Sequence, residues 1–406
     1  MNKAYNPIWA RNEALRTAAQ RWHRRGLLPL AQLQAIREAY PLDFYRPNIY
    51  LQILLFLLTT LGYLATSGLI AMSAYELFDS VLNWRGQIKI GVVTLAAALA
   101  GQLVLQRLIT SSRTYRAGSD QALLYLSLGF AAIAWQAFVD AALPNVIDFL
   151  LLDSPYLALW LLPMLVMLLW ATARFGDALL AALSYAAVLG LLANGLLQFG
   201  SGRLVLPFAV MAVAAGLYQL VRYLAARTDY WYYRSCFTTL EVLALATFYL
   251  GGNYLIVREG NAAIGGLPVS TQIPFAPVFY LLTALVPLFY IWQGLRQHRR
   301  TWLLTGLVAL AFSGFTVRFY YSVLPLATAS ALLGAVLIGL MAAALRYLRT
   351  PRHGLSADAE DGSAERPGLN LEALIVAQTA HAPQAPEPGF QFGGGQSGGG
   401  GAEGQF

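Results

Sequence analysis

Residues 235–260 read SCFTTLEVLALATFYLGGNYLIVREG. An apolar run of this length spans a bilayer as a helix, because about 20 such residues cover the hydrocarbon core. Two features set it apart from the other hydrophobic segments. Glu241 lies near its entry, and Gly251-Gly252-Asn253-Tyr254 puts a helix-weakening pair beside an amide near its exit. A carboxylate inside a span costs about 2.5–3.5 kcal/mol on insertion scales, so it either serves a function or has a partner or water at hand. Glu241 lies six residues past Ser235, roughly 9 Å of helix at about 1.5 Å per residue. The sequence leaves both readings open.

Outward from this run, the chain is of one kind. Of its 406 residues, 58% are hydrophobic and 12% charged, against about 25% charged in soluble domains. The mean hydropathy is +0.55. Ten spans are expected, near 49–71, 90–109, 121–142, 156–173, 178–198, 204–225, 236–257, 275–295, 302–318 and 326–348. They predict an all-α, polytopic membrane helix bundle. Placed on alternate sides, 22 of the 27 Lys and Arg residues share the side of both termini. The other five are Arg85, Lys89, Arg203, Arg258 and Arg318. Basic residues are retained on the cytoplasmic side, so both ends are expected inside. The net charge of +7 then reads as topology, and no nucleic-acid partner is expected.

Three regions follow. Residues 1–47 are expected to form a cytoplasmic helical hairpin, with Pro7 opening one helix, Gly26 ending it and Pro29 opening the second. Residues 48–349 form the transmembrane domain. Within it, AGQLVLQRLI and AGLYQLVRYL align Gly101 and Arg107 with Gly216 and Arg222. This is either a parallel tandem repeat (90–198 and 204–318) or the likeness that apolar helices share. Residues 350–406 are expected to be a flexible cytoplasmic tail, since nine of the last 18 residues are glycine. About 47 polar or amphipathic residues precede the first apolar run, so no cleavable signal peptide is expected.

The chemistry is sparse. His23, His298, His353 and His381 all fall outside the spans, which argues against an intramembrane metalloprotease or a Ser–His hydrolase. Neither His-Glu-x-x-His nor a phosphate-binding glycine loop occurs, and Cys236 is the single cysteine, so neither a metal site nor a cofactor is expected. Asp177 follows a glycine in a tight turn and lacks a second embedded aspartate. The remaining candidates are Glu241, Asn253, Asp140 and Arg318, read as a polar path, with Asp140 and Arg318 as opposite charges near one membrane face.

The runs RGLLPLAQLQAIREAYPLDFYRPNIYLQILLFL (25–57), GGNYLIVREGNAA (251–263), EALIVAQT (372–379) and FQFGGGQSGGGGAEGQF (390–406) resemble polytopic membrane proteins of Bacteroidetes-type bacteria. The amino-terminal hairpin is similar to that of a broader bacterial domain-of-unknown-function family. The resemblance implies a bacterial inner membrane and carries no catalytic residue with it. Two functions are expected from these features. The first is binding or transport of a small solute or lipid through the polar path. The alternative is a non-catalytic scaffold or sensor that presents the hairpin and tail to cytoplasmic protein partners.

Overall fold

The computed structural model describes residues 3–81, 86–143, 151–226, 230–297 and 299–320, with scattered helical positions between 328 and 346. All of these fall in one compact unit, Met1–Ala359. The tail and most of the tenth expected span lie outside the described residues.

The described chain is all α. Its helices are α1 (Pro7–Arg24), α2 (Leu30–Ala39), α3 (Ile49–Val81), α4 (Gly86–Ser112), α5 (Ser119–Ala142) and α6 (Leu157–Phe175). They continue as α7 (Ala178–Leu197), α8 (Gly202–Ala225), α9 (Tyr230–Gly252), α10 (Tyr254–Ile264), α11 (Ala276–Gln297) and α12 (Arg300–Tyr320). Among the described residues, nine helices (α3 to α9, α11 and α12) are long and apolar enough to cross a membrane. The protein is a multi-pass membrane helix bundle.

Local sequence accounts for the shorter elements. Asn6 caps α1 by accepting from Ile8 N, with Pro7 at the first helical position. Arg16 Nε donates to Tyr40 O at 2.6 Å, and Asn12 Nδ2 donates to Pro41 O at 2.9 Å. These bonds tie α2 back onto α1. Between α6 and α7 the turn is two residues long. Gly176 takes a left-handed φ of 62°, and Asp177 caps α7 by accepting from Leu179 N and Leu180 N.

The long helices pack mainly as neighbours in sequence: α4 with α5, α6 with α7, α8 with α9, and α11 with α12. α9 is the hub, packing against α1, α7, α8, α10, α11 and α12. Lipid tails are as apolar as leucine, so helix contact in a bilayer rests on close approach rather than on hydrophobic burial. A Cβ on Gly294 would lie 2.6 Å from Leu303 N, and one on Gly306 2.9 Å from Ile291 N. On the outside, α3 shows Ile53, Leu57, Leu61 and Leu64 as exposed side chains, as a lipid-facing helix should.

The segment expected as one span over 236–257 differs from that reading. Its helix begins earlier, at Tyr230, and stops at Gly252, where α10 restarts. The cause is Asn253, whose extended backbone (φ −80°, ψ 126°) lets Oδ1 accept from Leu255 N and Ile256 N as an N-cap. The two glycines of the suggested repeat meet different surroundings. A Cβ on Gly101 would lie 2.5 Å from Tyr63 Oη, whereas one on Gly216 would meet nothing within 4 Å.

Candidate functional site

Asn253 is completely buried. Its Nδ2 donates to Tyr249 Oη at 2.9 Å and to Thr316 Oγ1 at 3.1 Å, while Oδ1 takes the cap bonds. The network continues through Tyr249 Oη to Ser313 Oγ at 2.7 Å, and Ser313 Oγ donates to Thr283 O at 2.7 Å. Thr283 Oγ1 in turn accepts from Tyr254 N at 3.0 Å. This knot joins α9, α10, α11 and α12. A fully bonded buried network fixes one packing arrangement, and here it holds the helix break in place.

Glu241 sits elsewhere on the same helix. Counted from Tyr230 it is eleven residues in, roughly 16 Å at about 1.5 Å per residue, yet Arg299 Nη1 reaches Glu241 Oε1 at 3.1 Å. The two side chains are 33% and 17% exposed for Arg299 and Glu241 respectively. Arg299 lies in the turn between α11 and α12, so α9 projects well past that turn. Asp140 accepts from Gln136 Nε2 of its own helix at 3.1 Å. Arg318 is half-buried in the last turn of α12, two residues beyond Thr316. The four candidates thus occupy three surroundings: the Arg299 pair, the end of α5, and the α9–α12 knot with Arg318 beside it.

Three features were not singled out from the sequence. The first is a polar cluster at the N-terminal side of the bundle. Asp120 is 0% exposed and accepts from Tyr5 Oη at 2.6 Å, Arg116 N at 2.8 Å and Ala117 N at 2.9 Å. Arg116 Nη2 donates to Gly176 O at 2.9 Å and Ser235 Oγ at 3.0 Å. Ala4 N donates to Arg174 O at 2.9 Å. The N-terminus, the α4–α5 and α6–α7 connections and the start of α9 therefore meet on one side. Burial, then the adjacent Asp120 carboxylate, pushes the Tyr5 hydroxyl well above its ordinary pKa. Asp120 in the first turn after Gly118-Ser119 was a legible signal for a helix start, but Tyr5 carried none.

The second lies around α10, on the opposite side. Tyr320 Oη donates to Glu259 Oε1 at 2.6 Å, and Arg258 stacks over the Tyr320 ring at 4.6 Å. The hydrogen bond from Tyr320 holds the Glu259 carboxyl below its ordinary pKa.

The third is a cleft of about 380 Å³ at the helix break, walled by α7, α8, α9 and α10. Gly251 lies in its wall, and a Cβ there would lie 3.0 Å from Met211 Cγ and 3.3 Å from Pro207 O, so α9 runs close against α8 at this point. Leu206, Val210, Leu250 and Ile264 line the cleft, and Arg203, Thr247 and Asn261 are its polar members. Arg203 is exposed in the first turn of α8 and has no acceptor or carboxylate among the described residues. Chemically the cleft offers a mostly apolar body with one hydroxyl, one amide and one guanidinium. No group of three or more His, Cys, Asp or Glu side chains suited to a metal occurs among the described residues. Comparison of the chain with protein-family models, curated proteins and solved structures gives no match.

Proposed function

We propose that this protein binds a lipid or lipid-like anionic amphiphile in the cleft between α7, α8, α9 and α10. The observation that carries this reading is Arg203, a guanidinium without an acceptor among the described residues, set on a mostly apolar cleft. Ligand sites have this form, with mostly apolar walls and few polar groups fixing orientation, in volumes of about 300–1,000 Å³. A guanidinium recognises carboxylate or phosphate through paired N–H donors. The proposal includes a bacterial inner membrane with both termini cytoplasmic, which places Arg203 at the outer leaflet.

The test is photolabelling in nanodiscs with phosphatidylglycerol carrying a diazirine in one acyl chain. Label on α8 and α10 peptides should fall several-fold in Arg203→Ala and recover in part in Arg203→Lys. Gly260→Leu should also reduce it, because Gly260 lines the cleft and a Cβ there meets nothing within 4 Å. Equal labelling of all four proteins would overturn the reading and favour a scaffold role.

A further inference from the structure

A second cleft, of about 450 Å³, opens between α5, α6 and α7, with Gly129, Met164, Met167 and Leu183 among its walls. Its lining is almost wholly apolar. Seven residues beyond Met167, and so on the same face of α6, stands Arg174. Its backbone oxygen is taken by Ala4 N and Tyr232 Oη. Its guanidinium lies over the rings of Trp170 at 5.2 Å and Phe175 at 5.8 Å. The Nε is buried without a hydrogen-bond partner, and the guanidinium has no acceptor among the described residues.

We infer that this cleft is a second lipid site, in the leaflet opposite to the first, holding one acyl chain of a phospholipid whose phosphate pairs with Arg174. Depth supports the assignment. Along α6, Arg174 stands roughly 9 Å from Leu168 and roughly 21 Å from Trp160, the two ends of the α6 lining. Half of a hydrocarbon core about 30 Å thick, about 15 Å, reaches from the level of Arg174 past Leu168 to about Met164, with the headgroup layer above it. The half-buried guanidinium has no acceptor from the described residues, and a phosphate arriving from the bilayer supplies one to its terminal nitrogens. The stacked rings hold the guanidinium at the level where headgroups begin, as interfacial aromatics do. The site shares only α7 with the Arg203 cleft, so it stands or falls separately from the proposed function.

The same diazirine phosphatidylglycerol probes it, read on α5, α6 and α7 peptides. Arg174→Ala should lower that label several-fold, and Arg174→Lys should restore part of it. Gly129→Leu should lower it as well, since a Cβ at Gly129 meets nothing within 4 Å and the added chain enters the cleft. Arg203→Ala and Gly260→Leu should leave it unchanged, and excess inorganic phosphate should not displace it. Unchanged label in both Arg174→Ala and Gly129→Leu overturns the inference. Loss in Gly129→Leu alone overturns the phosphate assignment, and displacement by phosphate overturns the role of the acyl chain.

Discussion

Tyr5 Oη donates to Asp120 Oδ2 at 2.6 Å across 115 residues of sequence, and both side chains are buried. The amino-terminal segment is thereby locked onto the loops of the bundle rather than resting beside it. The α4–α5 connection that receives it has an unusual backbone. Arg113 and Arg116 take positive φ values of 46° and 51°, and Gly118 approaches so closely that a Cβ would lie 2.1 Å from Gln52 O. Strained backbone of this kind persists where surrounding contacts over-determine it.

Tyr5→Phe removes one donor from a buried carboxylate that keeps two backbone N–H partners. The expected loss is about 1–3 kcal/mol, read as a lower melting temperature of the purified protein in detergent. A pH series adds a sign. The folded-state pKa of Tyr5 is raised, so its stabilisation is full below the ordinary tyrosine value of about 10. It is then lost as pH rises towards the folded value. The Phe variant should lack this alkaline component; an identical alkaline profile would show that the bond contributes nothing.

Asn253→Ala removes the α10 cap and leaves Tyr249 and Thr316 with altered partners in a dry interior. About 2–3 kcal/mol should be lost, combining a cap with unsatisfied polar groups. Asn253→Asp keeps the acceptor and loses the donors, so it should retain capping yet still destabilise. Hydrogen exchange at Leu255 and Ile256 distinguishes the two, with faster exchange expected in the Ala variant only.

For Glu241 and Arg299, a double-mutant cycle (Glu241→Gln, Arg299→Gln and both) should give a coupling of about 1 kcal/mol or less, as for other partly exposed pairs. Label at the Arg203 cleft should not change in Glu241→Gln. A several-fold fall there would return Glu241 to the binding path.

Orientation is tested by reporter fusions. Those placed after Ser154 and Gly266 should read as external, and those after Arg116 and Arg299 as cytoplasmic. A reversed signal at either pair contradicts the positive-inside assignment.

The sequence by itself determined the helices and their apolar lengths, because bilayer thickness and backbone hydrogen bonding act on each segment locally. It also showed the Gly251-Gly252-Asn253 run as a weak point near the exit of a span read as continuous over 236–257. The break itself, with Asn253 buried as a cap and bonded to Tyr249 and Thr316, appeared only in the packed structure. The surroundings of the candidate residues were a different matter. Glu241 was legible as an embedded acid, but Arg299, 58 residues away, became its partner only through the packing of α9 against α11 and α12. Tyr5 and Asp120 met because the N-terminus and the α4–α5 connection fall on one side of the bundle. The two clefts exist only where helices fail to close on each other. Contacts between helices in lipid depend on small differences in close approach and polar pairing, which one-dimensional hydrophobicity does not encode, so those relations belong to the tertiary structure.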